Sequence, residues 1–595
     1  MTALTAGVPV DRAERNDDQH ARWLLAHLLD WHRREAKAPW WEFFRLRDLA
    51  EDELFVEKAA LAGLRFVCRI GGTQRSPIDR YEYPRQDTEV LDGDTLHLPD
   101  GADFGRVESI DRAARTVDVR KRGAQGEVHP RAVFAHSVVP SDVLAEALLR
   151  IAEDVVEHGI AGGSRYRAAR DLLLGRPPRL RTGVFAAEAN ETAVEFAVRI
   201  APDLDDTILA IQGPPGAGKT FAGARMICDL VRRGARVGVT AVSHRVIRKL
   251  LEDAVKAGES LHVPVRCLHK VMAKSDSPSV IEECTDNDGA VARLSDGRVD
   301  VVGATPWLWA RPGSLAAVDV LFVDEAGQMS LANVLAASQA ARSVVLLGDP
   351  QQLEQPQQGT HPDGAEVSAL EHVLGEHKTI PADRGIFLPE TWRLAPSICA
   401  FTSEVFYEGR LRSRDGLERQ ALVGTAPFEG SGLWVAAVAH EGNQNSSSEE
   451  VDQVERIIAA LLRPEARWID AEGAAHPMTA RDVLVVAPYN SQVSLLAERL
   501  DVRGIRVGTV DRFQGQEAPV VIYSMATSTP EDAPRGMEFL YSLNRLNVAT
   551  SRALCACILV ACPRIFEPEC KSPHQMRLAN ALCRYVELAR LVDLA

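Results

Sequence analysis

Apolar positions along the chain change period from one region to the next. From residue 17 to about 70 they recur at helical spacing, through Trp23-Leu24-Leu25, Leu28-Leu29, Leu46 and Leu49, which predicts a helical region. Between 85 and 140 the period becomes two. Gly105-Arg-Val-Glu-Ser-Ile and Arg115-Thr-Val-Asp-Val-Arg alternate between turn residues, as short strands of a small β-barrel do. Asp142 to His158 is amphipathic and reads as a helix broken at Gly162-Gly163. From about Asp203 onward, short continuous apolar runs alternate with helical stretches, the pattern of parallel sheets covered on both faces. The polar run His440 to Glu450 reads as a surface loop before a helix over 451–462. No internal repeat is visible.

Composition narrows the class. With 595 residues, 46% hydrophobic and 25% charged, the chain is ordinary globular protein of several domains. No apolar run approaches the roughly 18 residues of a membrane helix, and Met1 to Asn16 lacks the apolar core of a signal peptide. No membrane association is therefore expected, and a cytoplasmic protein is. Ten cysteines without framework spacing predict reduced thiols. Cys555 and Cys557 lie on an apolar strand and act as small hydrophobes, and the late cysteines match no iron–sulfur ligand pattern. The net charge of −15 excludes a protein coated in basic surface, although a local basic groove would still bind phosphates. Trp40, Trp41, Phe43 and Phe44 are close enough to stack bases, but four neighbouring aromatics are read as packing between helices.

The chemistry is concentrated after residue 207. The apolar run Ile208 to Ile211 leads into Gly213, Pro214, Pro215, Gly216, Ala217, Gly218, Lys219 and Thr220, followed by a helical stretch closed by Gly234. A strand, a G-x-x-x-x-G-K-[ST] loop and a helix make a phosphate-binding loop. Its backbone N–H groups form an anion nest, Lys219 adds charge at the β- and γ-oxygens, and Thr220 is a Mg²⁺ ligand. A second apolar strand, Val318 to Val323, ends in Asp324-Glu325, where Asp324 can organise Mg²⁺ and Glu325 can orient or deprotonate water. A third, Ser343 to Leu347, runs into Gly348-Asp-Pro-Gln-Gln-Leu353, whose Gln352 is the candidate γ-phosphate sensor. ATP and Mg²⁺ are the expected cofactors.

These segments resemble motifs I, II and III of superfamily 1 helicases, in the 5′→3′ branch that includes the up-frameshift helicases and replication helicase-nucleases. Further segments resemble the remaining motifs in order: Thr240 to His244, Val302 to Thr305, Glu390 to Pro396, Ala487 to Asn490, Thr509 to Glu517, and Arg545 to Ala553. The likeness covers about residues 205–565. It implies α/β architecture with two RecA-like P-loop domains of parallel sheet, plus an N-terminal helical region and a small β-barrel with a stalk helix. The expected boundaries are 1–84 (helical), 85–140 (barrel), 141–185 (stalk), 186–374 (first RecA-like domain, with an insert at about 255–298) and 375–595 (second). The resemblance also implies that Arg393 and the arginine finger Arg552 reach the triphosphate and that Gln514, Gly515 and Glu517 border it. It puts Ser243, Thr305, Pro488, Asn490, Thr509 and Asn547 on single-stranded nucleic acid.

A narrower likeness is carried by Asp30-Trp-His-Arg-Arg-Glu35, by Trp40 to Phe44, and by the tail Gln575 to Arg584. Together they resemble the helicase half of bacterial RecB-like nuclease–helicase fusion proteins. No G-x-D then E-x-K carboxylate arrangement is present at the N-terminus, so the nuclease half is read as absent and a separate nuclease partner is expected. This likeness favours DNA over RNA, a monomer, and a role in DNA repair. The sequence departs from the family in three places. The adenine-reading glutamine motif is not recognisable in Asn190 to Val198. Val242 and His244 stand where relatives carry Pro and Asn, and Leu554 stands where an Arg is common. The leading reading is an ATP-dependent 5′→3′ helicase or translocase. The alternative is an ATP-driven motor subunit or switch that remodels a nucleic-acid complex without processive unwinding. A small-molecule P-loop kinase leaves Arg393, Gln514 and Arg552 without a role.

Overall fold

The computed structural model describes the chain except residues 138, 163–164, 276–278, 356, 501–503, 514 and 595. The described residues fall into two compact units. One comprises Met1–Leu25, Ala147–Pro356 and Val367–Ala595, the other Ala26–Glu146 and Gln357–Glu366.

The larger unit contains two parallel sheets. In the first, eight strands run in the order Glu282–Cys284, Cys267–Lys270, Val301–Gly303, Val237–Thr240, Val318–Val323, Ala341–Gly348, Ile208–Gln212 and Gly385–Phe387. Every pairing is parallel. Ile208–Gln212 is buried at every position, as a strand covered on both faces requires. The second sheet has six parallel strands in the order Arg506–Thr509, Val483–Ala487, Ala518–Ser524, Ala553–Ala561, Gly432–Ala437 and Arg590–Val592. Each sheet has its own apolar core, one around Ile211, Ile227 and Phe322, the other around Trp434, Val485 and Ile558. This is the doubly covered α/β architecture expected of two RecA-like domains.

Two details differ from the expected boundaries. Gly385–Phe387 pairs with Ala210–Gln212, so the first sheet continues past residue 374. Within the stretch at 255–298, Cys267–Lys270 and Glu282–Cys284 extend the first sheet itself.

The smaller unit is a seven-stranded antiparallel sheet in the order Ala60–Ala62, Ala132–Ala135, Thr95–His97, Asp103–Asp111, Thr116–Lys121, Ser76–Glu82 and Arg65–Thr73. It encloses Tyr81, Phe104, Val117 and Val133. Its strands begin at Ala60, inside the stretch read as helical, and its helices end at Leu54. Packing between helices does not account for the aromatic run. Phe43 is buried and rings itself with His97, Phe134 and His136, but Trp40 (45%), Trp41 (73%) and Phe44 (41%) are exposed. The late cysteines Cys555, Cys557 and Cys562 are buried free thiols, and no cluster of metal-binding side chains occurs among the described residues.

Candidate active site

Ligand crevices in open α/β sheets lie beyond the carboxyl ends of the strands, and there this chain gathers its charged groups. The strand Ile208–Gln212 delivers the phosphate loop to the start of the helix Lys219–Arg232. Gly216 and Gly218 take left-handed φ angles of 72° and 82°. A Cβ at Gly216 would stand 2.6 Å from the Arg393 side chain, so only glycine fits. The loop is clamped from outside: Thr391 Oγ1 donates to the Pro215 carbonyl at 2.9 Å, and the Trp392 N–H donates to the Gly216 carbonyl at 2.9 Å. Lys219 Nζ folds back onto the Gly213 carbonyl at 2.6 Å.

A cleft of about 840 Å³ opens over this loop. Pro214, Pro215, Gly216, Ala217, Gly218, Lys219 and Thr220 line it, with Asp324, Glu325, Gln352, Arg393, Gly515, Glu517 and Arg552. Residues from six separate segments thus converge on one space, and Gly213 immediately precedes the loop that lines it. Gln514 lies outside the described residues.

The electrostatics of the cleft are unbalanced. Asp324 is buried beyond the end of Val318–Val323, and burial together with Glu325 pushes its carboxyl up to about 7. Glu325 has a left-handed φ of 51°, an uncommon conformation for a residue with a side chain. Arg393 pairs with Glu517 at 2.6 Å. Arg552 is only 3% exposed, and its Nε and Nη2 have no hydrogen-bond partner among the described residues. Burial and the nearby Arg393 bring its guanidinium down to about 10. A buried guanidinium without an acceptor is costly, and an anion in the cleft would relieve it.

Gln352 is also buried, held by a polar network that the sequence did not disclose. Its amide donates to Asp349 Oδ2 at 3.0 Å. The hydroxyl of Tyr407 donates to the same carboxylate oxygen at 2.6 Å, and Gln212 Nε2 reaches Oδ1 at 3.4 Å. Asn547 Nδ2 donates to the Tyr407 hydroxyl at 2.9 Å and to the Gln351 carbonyl at 2.7 Å, while Asn544 bonds the Gln352 carbonyl. Asn547, expected on nucleic acid, is fully buried. Its two donors tie the helix Leu543–Ser551 to the segment after Gly348.

The other residues expected on nucleic acid are dispersed. Ser243 lines the same cleft and caps the helix His244–Leu261 through the Val246 N–H. Thr305 is half-buried at the start of Pro306–Trp309, and its hydroxyl makes no capping bond. Pro488 is buried beyond Val483–Ala487, whereas Asn490 is exposed at the next helix start. Thr509 ends the strand Arg506–Thr509 and is half-buried.

A second cavity of about 860 Å³ adjoins the cleft and shares Ala217, Phe221 and Trp392 with it. Thr192, Val194, Glu195 and Val198 contribute to its wall, so the segment without a recognisable glutamine motif borders it all the same. Arg225 stacks over Phe221 at 4.4 Å, and Arg414 over Trp392 at 3.5 Å. Thr391 and Trp392 stand inside a motif already singled out. Asp349 likewise stands inside the Gly348–Leu353 segment, whereas Arg414 and Tyr407 had no spacing to mark them.

Two family models, each described as an AAA domain, match residues 196–369 and 365–564. The chain is 25% identical over 439 residues to a regulator of nonsense transcripts 1 homolog from Drosophila melanogaster, covering 66% of this chain and 36% of that protein. It is 23% identical over 422 residues to the DNA polymerase alpha-associated DNA helicase A of Schizosaccharomyces pombe, covering 61% of each. It is 25% identical over 370 residues to the DNA replication ATP-dependent helicase/nuclease dna2 of the same yeast, covering 59% of this chain and 26% of that protein. The chain thus spans between about a quarter and three fifths of the length of these relatives. With two parallel sheets, a phosphate loop and the converging motif segments in hand, the chain matches AAA-domain models across residues 196–564 and is similar to proteins named as helicases.

Proposed function

We propose that this chain hydrolyses ATP with Mg²⁺ and uses the cycle to move 5′→3′ along single-stranded DNA, separating duplex as it goes. The observation that carries the reading is Arg552, a buried cation whose Nε and Nη2 have no hydrogen-bond partner among the described residues, in the same cleft as Lys219 and Arg393. Three cations around a phosphate loop are an arrangement that a triphosphate completes. The donor set also suits Mg²⁺. Thr220 offers a hydroxyl and Asp324 a carboxylate, and phosphate oxygens and water would fill the remaining positions. The bound ion would neutralise charge on the phosphates.

The residues divide the work as follows. The loop N–H groups and Lys219 hold the β- and γ-phosphates, and Lys219 leaves the Gly213 carbonyl to do so. Glu325 orients the attacking water and accepts its proton. Arg393 and Arg552 stabilise charge on the transferred group. Gln352, fixed by Asp349, reports the presence of the γ-phosphate. The base lies in the adjoining cavity against Trp392. On this reading the RecA-like domains occupy about 186–388 and 389–595, and Ser243, Thr305, Asn490 and Thr509 touch the strand. The likeness to RecB-like fusion proteins supports DNA as the track, a separate nuclease as partner, a nucleoid-associated monomer, and a place in DNA repair.

The test is ATP hydrolysis by the purified chain with and without single-stranded DNA or RNA, with Lys219→Ala as the blank. Strand displacement on duplexes with 5′ or 3′ tails then follows. DNA-stimulated hydrolysis with displacement from 5′ tails supports the proposal. Hydrolysis indifferent to either nucleic acid refutes a motor. Stimulation without displacement favours a remodelling switch.

A further inference from the structure

The run Asp30-Trp-His-Arg-Arg-Glu35 has no part in the chemistry above, yet in the smaller unit it makes a specific clamp. Trp31–Glu35 is a short helix. The carboxylate of Glu35 accepts three hydrogen bonds, from the Gln358 N–H at 3.0 Å, the Gly359 N–H at 2.9 Å and His361 Nε2 at 2.6 Å. The indole of Trp31 stacks on the His361 ring, with centroids 5.3 Å apart and planes 12° from parallel. The His361 side chain is completely buried. A Cβ at Gly359 would come within 2.7 Å of the Arg34 carbonyl, so glycine is required for this approach.

What is clamped matters because of where it comes from in the chain. Residues 357–366 belong to the smaller unit, whereas the residues on either side of them belong to the larger one. The excursion begins five residues after Gln352. It ends at Val367, whose carbonyl accepts from the Leu331 N–H at 3.2 Å, and Ser368 next to it caps the helix Ala369–Leu374. Leu331 opens the helix that follows Asp324 and Glu325. The strap therefore begins shortly after the γ-phosphate sensor and ends at a backbone bond to the first residue of the helix that follows the carboxylates.

We propose that Glu35 is a positioning residue that anchors this strap, so that a change at Gln352 on hydrolysis is transmitted along the chain to the smaller unit. The inference rests on the function proposed above. A ten-residue excursion without regular structure would absorb a small shift in its own bending. A carboxylate that fixes two consecutive backbone N–H groups and a stacked imidazole removes that slack. A coupling element of this kind changes how efficiently hydrolysis is used and leaves the hydrolytic groups untouched.

The experiment compares wild type with Glu35→Ala, Glu35→Gln and, as a control on the same helix, Arg33→Ala, whose exposed side chain pairs with Asp30. Thermal unfolding establishes that each variant is folded. DNA-stimulated ATP hydrolysis and strand displacement are then measured on the same preparation. Glu35→Ala should keep hydrolysis close to wild type while duplex separated per ATP falls about tenfold, within the usual range of coupling between sites. Glu35→Gln retains an acceptor oxygen and should show a smaller loss, and Arg33→Ala none. If Glu35→Ala does not fold, His361→Ala, which removes one donor and the stacking partner, is read by the same criterion. Unchanged duplex separation per ATP in a folded variant overturns the inference, as does a parallel fall in hydrolysis and displacement. A wild-type chain that hydrolyses no ATP refutes the proposed function, and the inference with it.

Discussion

Arg552 offers a prediction in which stability and activity move in opposite directions. Burial and Arg393 hold its guanidinium at about 10, against an ordinary value above about 12. At about 1.4 kcal/mol per pKa unit, that difference is roughly 3 kcal/mol of penalty on the charged side chain in the nucleotide-free cleft. Arg552→Met keeps much of the length and apolar surface but removes the charge. The nucleotide-free variant should therefore be more stable than wild type by up to about 3 kcal/mol. At roughly 2–4 °C per kcal/mol for a domain of 150–250 residues, its Tm should rise by several degrees. The nucleotide-bound form should move the other way. Without the charge, a non-hydrolysable ATP analogue raises Tm less in the variant than in wild type, because binding no longer relieves a buried cation. Hydrolysis should fall by about 10³–10⁵, the usual consequence of losing an arginine finger. Differential scanning calorimetry with and without the analogue, beside steady-state hydrolysis, reads all three effects. A lower Tm in the nucleotide-free variant together with near-normal hydrolysis would refute both the electrostatic argument and the role of Arg552.

Lys219→Ala should abolish DNA-stimulated hydrolysis while leaving the circular dichroism spectrum unchanged, because among the described residues the Lys219 ammonium bonds only a loop carbonyl; residual stimulated hydrolysis would move the phosphate site elsewhere. Asn547→Ala leaves the Gln351 carbonyl without its donor inside the protein. It should lower stability by about 1–3 kcal/mol while single-stranded DNA affinity in filter binding stays at wild type; a selective loss of affinity would restore Asn547 to the nucleic-acid surface. Trp392→Ala should raise KM for ATP about three- to tenfold with a smaller change in kcat, since an aromatic stacking contact contributes about 0.5–1.5 kcal/mol; an unchanged KM would remove the base from that wall. Chelation with EDTA should stop hydrolysis, and added Mg²⁺ should restore it, as a site with one carboxylate and one hydroxyl from the protein requires.

The groups that could be read from the sequence share one property: their chemistry is contained in a short segment whose spacing is its signature. Gly213 to Thr220 follows an apolar strand and opens a helix, so its loop conformation is dictated locally. Asp324-Glu325 and Gln352 likewise stand just beyond continuous apolar strands, where an α/β sheet presents its side chains to a crevice. The elements that escaped lack a local period. Arg65–Thr73 is exposed at every position and so shows no alternation, which hid the start of the antiparallel sheet. Glu282–Cys284 has two acidic residues in three and becomes a strand only by lying at the sheet edge beside Cys267–Lys270. Asn547 did leave a trace, since Leu543, Thr550 and Ser551 share its side of the helix at spacings of three or four residues, and that side is largely buried. The family resemblance outweighed that pattern. Thr391 left none. Its hydroxyl holds the Pro215 carbonyl from 176 residues away along the chain, and a bond of that separation is decided only when Gly385–Phe387 has paired with the strand beneath the phosphate loop. The loop that binds phosphate is therefore a local feature of the sequence, while the clamp that fixes its shape is a property of the assembled sheet.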